Sequence, residues 1–184
     1  MAGPARHRPG SQPAWGWHRL AEEWAGKVVA EAGVRPGELV LDIGAGRGAL
    51  AAPLLEAGAR VIAVERHPGR AAYLRQRFAG RDVVVVEGDA LAMRLPRRAF
   101  RVVASPPYSV TTPLLRLLLA PGSPLTAADL VLQRAAARRF CAGGPRGAGR
   151  VDRRWELRMG LPLPRRAFMP PPRVDSVVLV ARRR

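Results

Sequence analysis

The run Leu39 to Ile43 passes straight into Gly44, Gly46 and Gly48, and it constrains the fold more than any other stretch of the chain. A continuous apolar run of this length suits a strand buried on both faces, as in the middle of a parallel sheet. Further strands are predicted at Arg60 to Val64, Val83 to Val86, Arg101 to Ala104 and Leu130 to Gln133. Between and around them, helices are predicted at Trp15 to Ala32, Ala49 to Ala57, Pro68 to Phe78, Thr112 to Leu119 and Arg134 to Phe140. Two apolar stretches near the end, Leu157 to Leu163 and Ser176 to Ala181, flank Pro170-Pro171-Pro172, which forbids a helix between them. They are expected to form a closing antiparallel pair. The fold class is therefore α/β, doubly wound and Rossmann-like, with a central, mostly parallel seven-stranded sheet, an antiparallel last strand and helices on both faces.

Composition limits the partners. The chain has 184 residues, enough for one domain, and carries 31 basic against 14 acidic residues, a formal net charge of +17. A GC-rich genome would explain why Lys27 is the only lysine, but not the excess itself, which points to RNA or DNA rather than a membrane surface. No segment approaches the roughly 20 apolar residues that span a bilayer, and no apolar stretch follows the basic N-terminus as a signal peptide requires. Cys141 is the only cysteine and is expected to be an inert thiol in a reducing cytoplasm. His7, His18 and His67 lack metal-ligand spacing, so no metal is expected. Residues 1–14 are predicted to be a flexible basic arm, residues 15–184 one catalytic domain that acts as a monomer, and Ala142 to Arg150 a flexible loop.

Ligands of such sheets bind beyond the C-terminal strand ends, where Gly44, Ala45 and Gly46 lie. Glycine there lets the backbone turn tightly and come close to a ligand. Gly44-x-Gly46-x-x-Ala49 also satisfies the dinucleotide fingerprint. Glu65, ending the second strand, suits ribose hydroxyls of NAD and S-adenosylmethionine equally. Asp89, after the third strand, can accept from a cofactor adenine amino group. Arg66 and Ala90 adjoin these carboxylates and complete the expected cofactor contacts.

Ser105-Pro106-Pro107-Tyr108 favours the methyl donor. The prolines hold an extended path. The Ser105 hydroxyl and Pro106 carbonyl can both accept from a nucleobase amino group, which favours a pyramidal nitrogen whose lone pair faces the donor. Tyr108 would stack on the base, so that catalysis is positioning and electrostatics without a strong general base.

These residues, together with Leu163 to Ser176 (LPRRAFMPPPRVDS), resemble the Erm ribosomal RNA adenine N6-methyltransferases, relatives of the KsgA-type dimethyladenosine transferases. The resemblance runs from about Trp15 to Arg184. It implies a class I S-adenosylmethionine-dependent methyltransferase acting on 23S rRNA, naked or in an assembling large subunit. The implied target is an adenine near the macrolide site, whose methylation confers macrolide–lincosamide–streptogramin B resistance. It also implies that Phe168 packs on the flipped adenine opposite Tyr108; a core aromatic is the alternative reading.

Three departures stand out. Ser105 replaces the family's usual Asn. Trp17-His18-Arg19-Leu20 replaces its Gln-Asn-Phe-Leu entry motif, leaving His18 and Leu20 to hold the methionine end of the cofactor. The chain stops at Arg184, like shortened mycobacterial-type members without a C-terminal helical RNA-binding domain. RNA contacts are then expected from Arg6, Arg8, Arg138, Arg139, Arg146, Arg182, Arg183 and Arg184. Three other readings stay open at this point: a KsgA-like small-subunit enzyme, a non-catalytic ribosome-assembly factor, and a nicotinamide oxidoreductase.

Overall fold

A computed structural model describes residues 18–143 and 154–184. The arm at residues 1–14, Trp15 to Trp17, and Arg6, Arg8 and Arg146 lie outside the described residues, as does all of the predicted loop after Gly143. In chain order the elements are β1 (Arg19–Leu20), α1 (Glu22–Ala32), β2 (Leu39–Ile43), α2 (Ala51–Glu56), β3 (Arg60–Glu65), α3 (Pro68–Arg77), β4 (Val83–Glu87) and β5 (Phe100–Ala104). They continue with a 3₁₀ turn at Tyr108–Val110, α4 (Thr111–Leu118), β6 (Leu125–Gln133), α5 (Arg134–Cys141) and β7 (Trp155–Leu163). A second 3₁₀ turn at Arg165–Ala167, then β8 (Phe168–Met169) and β9 (Ser176–Arg183), complete the chain.

Seven strands form one sheet in the order β4-β3-β2-β5-β6-β9-β7, with β9 antiparallel to both its neighbours. The expected architecture is the one observed. Side chains alternate across the pleat, so Val40, Val103 and Val178 join one core while Leu41, Val102 and Leu179 join the other. Helices α1, α2 and α3 cover the first face through Val28, Leu54 and Leu74. Helices α4 and α5 cover the second through Leu114, Leu118 and Phe140. β2 is buried on both sides, with Val40 and Leu41 each 0% exposed.

Two expected boundaries need correction. The predicted helix from Trp15 is broken at its start, because Arg19–Leu20 is a strand that pairs antiparallel with Phe168–Met169. Leu20 fits helical spacing with Trp24 and Val28, yet it is buried through that tertiary pairing. The fifth predicted strand begins at Leu125, five residues earlier than expected, because the polar residues Thr126 and Asp129 masked its pattern.

Asp129 is 2% exposed in the middle of β6 and is held by Arg182, whose Nη2 donates to Oδ1 at 2.9 Å. Arg182 Nη1 donates to the carbonyls of Ala128 and Ala181 at 3.2 and 3.0 Å. Burial pushes the Asp129 carboxyl above its ordinary range, while Arg182, Arg101 and Arg158 pull it down. Arg182→Met should cost about 3 kcal/mol in urea unfolding at pH 7. That is the low end for breaking a buried pair, because Arg182 is partly exposed and two other guanidinium groups remain. Adding Asp129→Asn should recover most of the loss; no recovery would mean that packing, not charge, ties the two residues together.

Candidate functional site

The strand order switches between β2 and β5, and the crevice beyond their C-terminal ends is the site. There the glycine turn and the Ser-Pro-Pro-Tyr loop touch. Gly44 has φ +77°, and a Cβ on it would lie 3.2 Å from Pro107 Cδ and 3.4 Å from Pro106 Cα. Glycine is needed here for two reasons at once, a left-handed backbone and direct contact with the second motif. Gly48 has a different job. Its Cβ would meet the Phe78 ring at 2.5 Å, so this glycine seats the end of α3 and is not a ligand contact.

A cleft of about 970 Å³, open to solvent, is lined by Gly44, Glu65, Arg66, Asp89, Ala90, Ser105, Pro106, Tyr108 and Phe168. A smaller cavity beside it is lined by Leu20, Asp42, Ala45 and Gly46. His18, Gly44 and Ser105 line both. The structure thus gathers every residue expected to touch cofactor or target base, from six separate segments of chain.

Glu65 is 3% exposed and organises the cofactor side. Its Oε2 accepts from the Gly46 amide at 2.9 Å, and its Oε1 from the His67 amide at 2.8 Å. Arg70, one turn into α3, donates to Oε1 from Nε at 3.0 Å and Nη2 at 2.8 Å. Oε2 keeps a second lone pair for an incoming hydroxyl. The sequence reading missed Arg70; its signal is an arginine in the first turn after a strand-ending glutamate. Asp89 Oδ1 accepts from the Leu91 amide at 2.9 Å, and Oδ2 lies 4.0 Å from Arg66 Nη1. That second contact joins exposed groups and adds little stability.

Asp42 was also missed. It is 1% exposed, and its Oδ2 has no hydrogen-bond partner among the described residues. Burial, and then repulsion from Glu65, push its carboxyl up to about 7, against a lowering hydrogen bond from the Ala51 backbone. An orphaned buried acceptor beside a cavity is suited to a cationic ligand group.

On the base side, the Tyr108 hydroxyl and Ser176 Oγ are 2.7 Å apart, and Ser176 is 1% exposed. Burial raises the Tyr108 hydroxyl above its ordinary pKa, and the Ser176 bond lowers it in part, so the phenol is neutral at pH 7. The His18 and Tyr108 rings stack with centroids 6.2 Å apart and planes 29° apart. His18 Nδ1 is 2.8 Å from the Pro170 carbonyl. A carbonyl only accepts, so Nδ1 is the donor in this bond. Phe168 is 3% exposed, paired with Leu20 through the strand register, and lines the cleft, so it is both core residue and cleft wall.

The expected RNA contacts are not gathered at this cleft. Arg138 and Arg139 are exposed in the last turn of α5. Arg182 is committed to Asp129, which corrects its assignment as a free phosphate contact. Arg183 sits over the Trp155 ring at 5.9 Å, and both it and Arg184 lie at the far end of β9 from the cleft. The cleft and the smaller cavity beside it are lined instead by Arg66, Arg70, Arg19 and Arg47, of which only Arg66 was expected as a site residue. Cys141 ends α5 exposed, away from the cleft, and no group of three or more metal-ligating side chains occurs among the described residues.

Asp42 gives a test of the site's electrostatics. Between about pH 4 and 7 the folded protein keeps a proton that the unfolded chain releases. This group's contribution to stability is therefore full below the unfolded pKa and lost as pH rises through 7. Asp42→Asn should melt increasingly above the parent from pH 5 to pH 8, by at most about 4 kcal/mol, at ~1.36 kcal/mol per pKa unit. Parallel pH trends in thermal melts of the two proteins would assign the effect to another group.

A family model, "Ribosomal RNA adenine dimethylase", matches residues 21–184. The chain is 38% identical over 180 residues to the ribosomal RNA small subunit methyltransferase A of Thermosynechococcus vestitus, covering 91% of this chain and 68% of that protein. It is 40% identical over 166 residues to the protein of the same name from Leifsonia xyli subsp. xyli, covering 83% and 59%. Among solved structures, the 23S rRNA methyltransferase ErmE superposes with a TM-score of 0.78 at 29% identity, covering 90% of this chain and 69% of ErmE. The chain therefore spans only 59–68% of the length of these two curated relatives. The match includes the glycine turn, the Ser-Pro-Pro-Tyr loop and the C-terminal signature whose meeting builds the cleft, and the chain belongs to the ribosomal RNA adenine dimethylase family.

Proposed function

We propose that this protein methylates N6 of an adenine in 23S rRNA near the macrolide site, using S-adenosylmethionine, and so confers macrolide–lincosamide–streptogramin B resistance. The observation that carries the chemistry is the meeting of an adenosine-type cofactor crevice with Ser105, Pro106 and Tyr108 in one cleft. The signature from Leu163 to Ser176 and the likeness to ErmE support the large-subunit substrate. The small-subunit reading is favoured by the names of the relatives at 38% and 40% identity.

When bound, S-adenosylmethionine supplies an electrophilic methyl group on a sulfonium. The residues present fit it. Glu65 would take the ribose hydroxyls and Asp89 the adenine amino group, with Arg66 and Ala90 beside them. The orphaned Asp42 Oδ2 suits the ammonium at the methionine end, where Ala45, Gly46, His18 and Leu20 line the smaller cavity. On the acceptor side, Ser105 Oγ and the Pro106 carbonyl would accept the two N–H bonds of the adenine amino group. That draws the nitrogen lone pair out of conjugation and aims it at the donor. Tyr108 would hold one face of the base, with its ring orientation set by Ser176 and His18. Phe168 would limit the other side.

Primer extension on 23S and 16S rRNA from cells with and without the gene separates the two substrates. Stops confined to 23S rRNA, with raised macrolide tolerance, are expected; stops confined to 16S rRNA would select the small-subunit reading.

Tyr108→Ala should nearly abolish methyl transfer while donor affinity stays within a few-fold, since stacking on a flipped base is worth about 1–3 kcal/mol and alignment is lost as well. Ser176→Ala and Tyr108→Phe remove the same hydrogen bond and should each slow transfer by roughly the tenfold that ~1.4 kcal/mol represents. Their double variant should be no slower than either alone. Labelled-methyl incorporation paired with calorimetry reads both quantities, and additive losses in the double variant would disprove the shared role.

A further inference from the structure

The end of the sheet opposite the catalytic cleft is also arginine-rich, and nothing in the proposed chemistry uses it. The strand register places the residues. Leu39 pairs with Arg60, Phe100 with Leu125, Ala127 with Arg182 and Trp155 with Arg183. The N-terminal ends of the parallel strands thus line up with the C-terminal end of β9. Along this row stand Arg60, Arg98, Arg101, Arg183 and Arg184, with Arg182 held by the buried Asp129, against the carboxylates Glu38, Asp82 and Glu156. At about 4.8 Å between strands, the seven-stranded row is roughly 29 Å wide, enough for several consecutive phosphates.

Within it, a cavity is lined by Glu38, Arg60, Phe100, Arg101, Thr126 and Arg98. Arg98 is exposed and has no hydrogen-bond or ion-pair partner among the described residues, and the same holds for Arg97 beside it. Arg60 is bound only loosely, 3.5 Å from Asp82, in a pair exposed on both sides. Arg101 is committed to the protein: its Nη1 donates to the Ala32 carbonyl, and its buried Nε lies 3.7 Å from Glu38. Arg60 and Arg98 line the same hollow, with a single carboxylate among its lining residues.

We propose that this face is a second RNA-phosphate site, which holds a segment of the substrate other than the one carrying the target adenine. The inference rests on the ribosomal RNA reading above. β2 is five residues long, about 16 Å, and the two sites open at opposite ends of the sheet, so a short stem seated in the cleft lies against one end only. A long structured RNA can wrap from one to the other. Guanidinium–phosphate contacts of this kind position RNA without reading sequence.

The test is Arg97→Glu combined with Arg98→Glu in the full chain, with Arg97→Gln/Arg98→Gln as a milder pair should the first fold poorly. Binding is measured by filter retention against a long ribosomal RNA domain and against a short stem-loop carrying the target adenine, and methyl transfer is measured on the stem-loop. Affinity for the long RNA should fall roughly tenfold or more, with a log–log salt slope shallower by about 1–2. Affinity and turnover on the stem-loop should be unchanged. Unaltered binding of the long RNA, or an equal loss on both RNAs, would overturn the proposal. So would weakened binding to anionic vesicles with no effect on RNA. Failure of the methyltransferase reading shows separately, as absent transfer to either RNA by the unmodified protein.

Discussion

The close approach of Gly44 to the Pro106 backbone and the Pro107 ring is the constraint on which the site depends. It joins the C-terminal ends of β2 and β5, the strands on either side of the point where the sheet's order reverses. A Cβ at Gly44 would press on Pro107 and require a left-handed backbone that L residues rarely adopt, so any side chain there separates the two loops. Separation by even an ångström matters in this chemistry. The groups proposed to act on the base are neutral acceptors and an aromatic ring, whose effect would come from where they are held more than from their acidity. Pro106 and Pro107 serve the same end by limiting the loop's own freedom before any ligand arrives.

Around that contact the chain spends buried negative charge, which is scarce in a molecule with 31 basic and 14 acidic residues. Glu65 is satisfied on one oxygen by Arg70 and the His67 amide, and ties its other oxygen to the glycine turn. Asp42, on the neighbouring strand, is left with an oxygen that no described group reaches. Burial first, and then repulsion from Glu65, make Asp42 hold its proton up to about pH 7. A ligand that brings a positive group to Asp42 relieves both the desolvation and the repulsion. Part of its binding free energy then comes from strain stored in the ligand-free protein, a familiar arrangement where a site is built before its ligand enters. Asp129 shows the contrast: its Oδ2 is also without a partner among the described residues, but its Oδ1 has its own arginine and it lies in β6 away from the cleft lining.

The architecture was readable because β2, β3, β5 and β9 are apolar on both faces, and because Gly33, Gly58 and Pro68 mark helix ends by local rules. The errors arose where tertiary contact overrode local pattern. Arg19–Leu20 is a strand only because Phe168–Met169, some 150 residues away, lies beside it. The meeting of Ser105, Tyr108, Glu65 and Asp89 in one cleft was legible because each ends or follows a strand, and the fold sends the parallel strand ends to one crevice. Asp42, Arg70 and Ser176 were not, since their importance is relational: an oxygen without a partner, a guanidinium one helical turn from a carboxylate, a hydroxyl behind a ring. Arg182 failed for the same reason, because a terminal arginine run looks solvent-facing until Asp129 is found beneath it.

The sheet's polarity then explains how one small domain can divide its labour. All parallel strands end at the cleft, so the loops there inherit the glycines, prolines and acceptors that chemistry needs. The opposite ends carry no such demand and accumulate arginines, several of them without a fixed internal role. A protein that must locate one adenine in a folded RNA needs both a short-range grip on the base and a longer-range grip on the phosphate backbone. Placing them at opposite ends of the same rigid sheet couples them through geometry alone. The length of the strands sets the distance the RNA must cover, and an RNA whose fold matches that distance is favoured over one that merely contains an adenine. Selectivity of this kind needs no base-specific contact on the far face, only charge held at a fixed separation from the cleft.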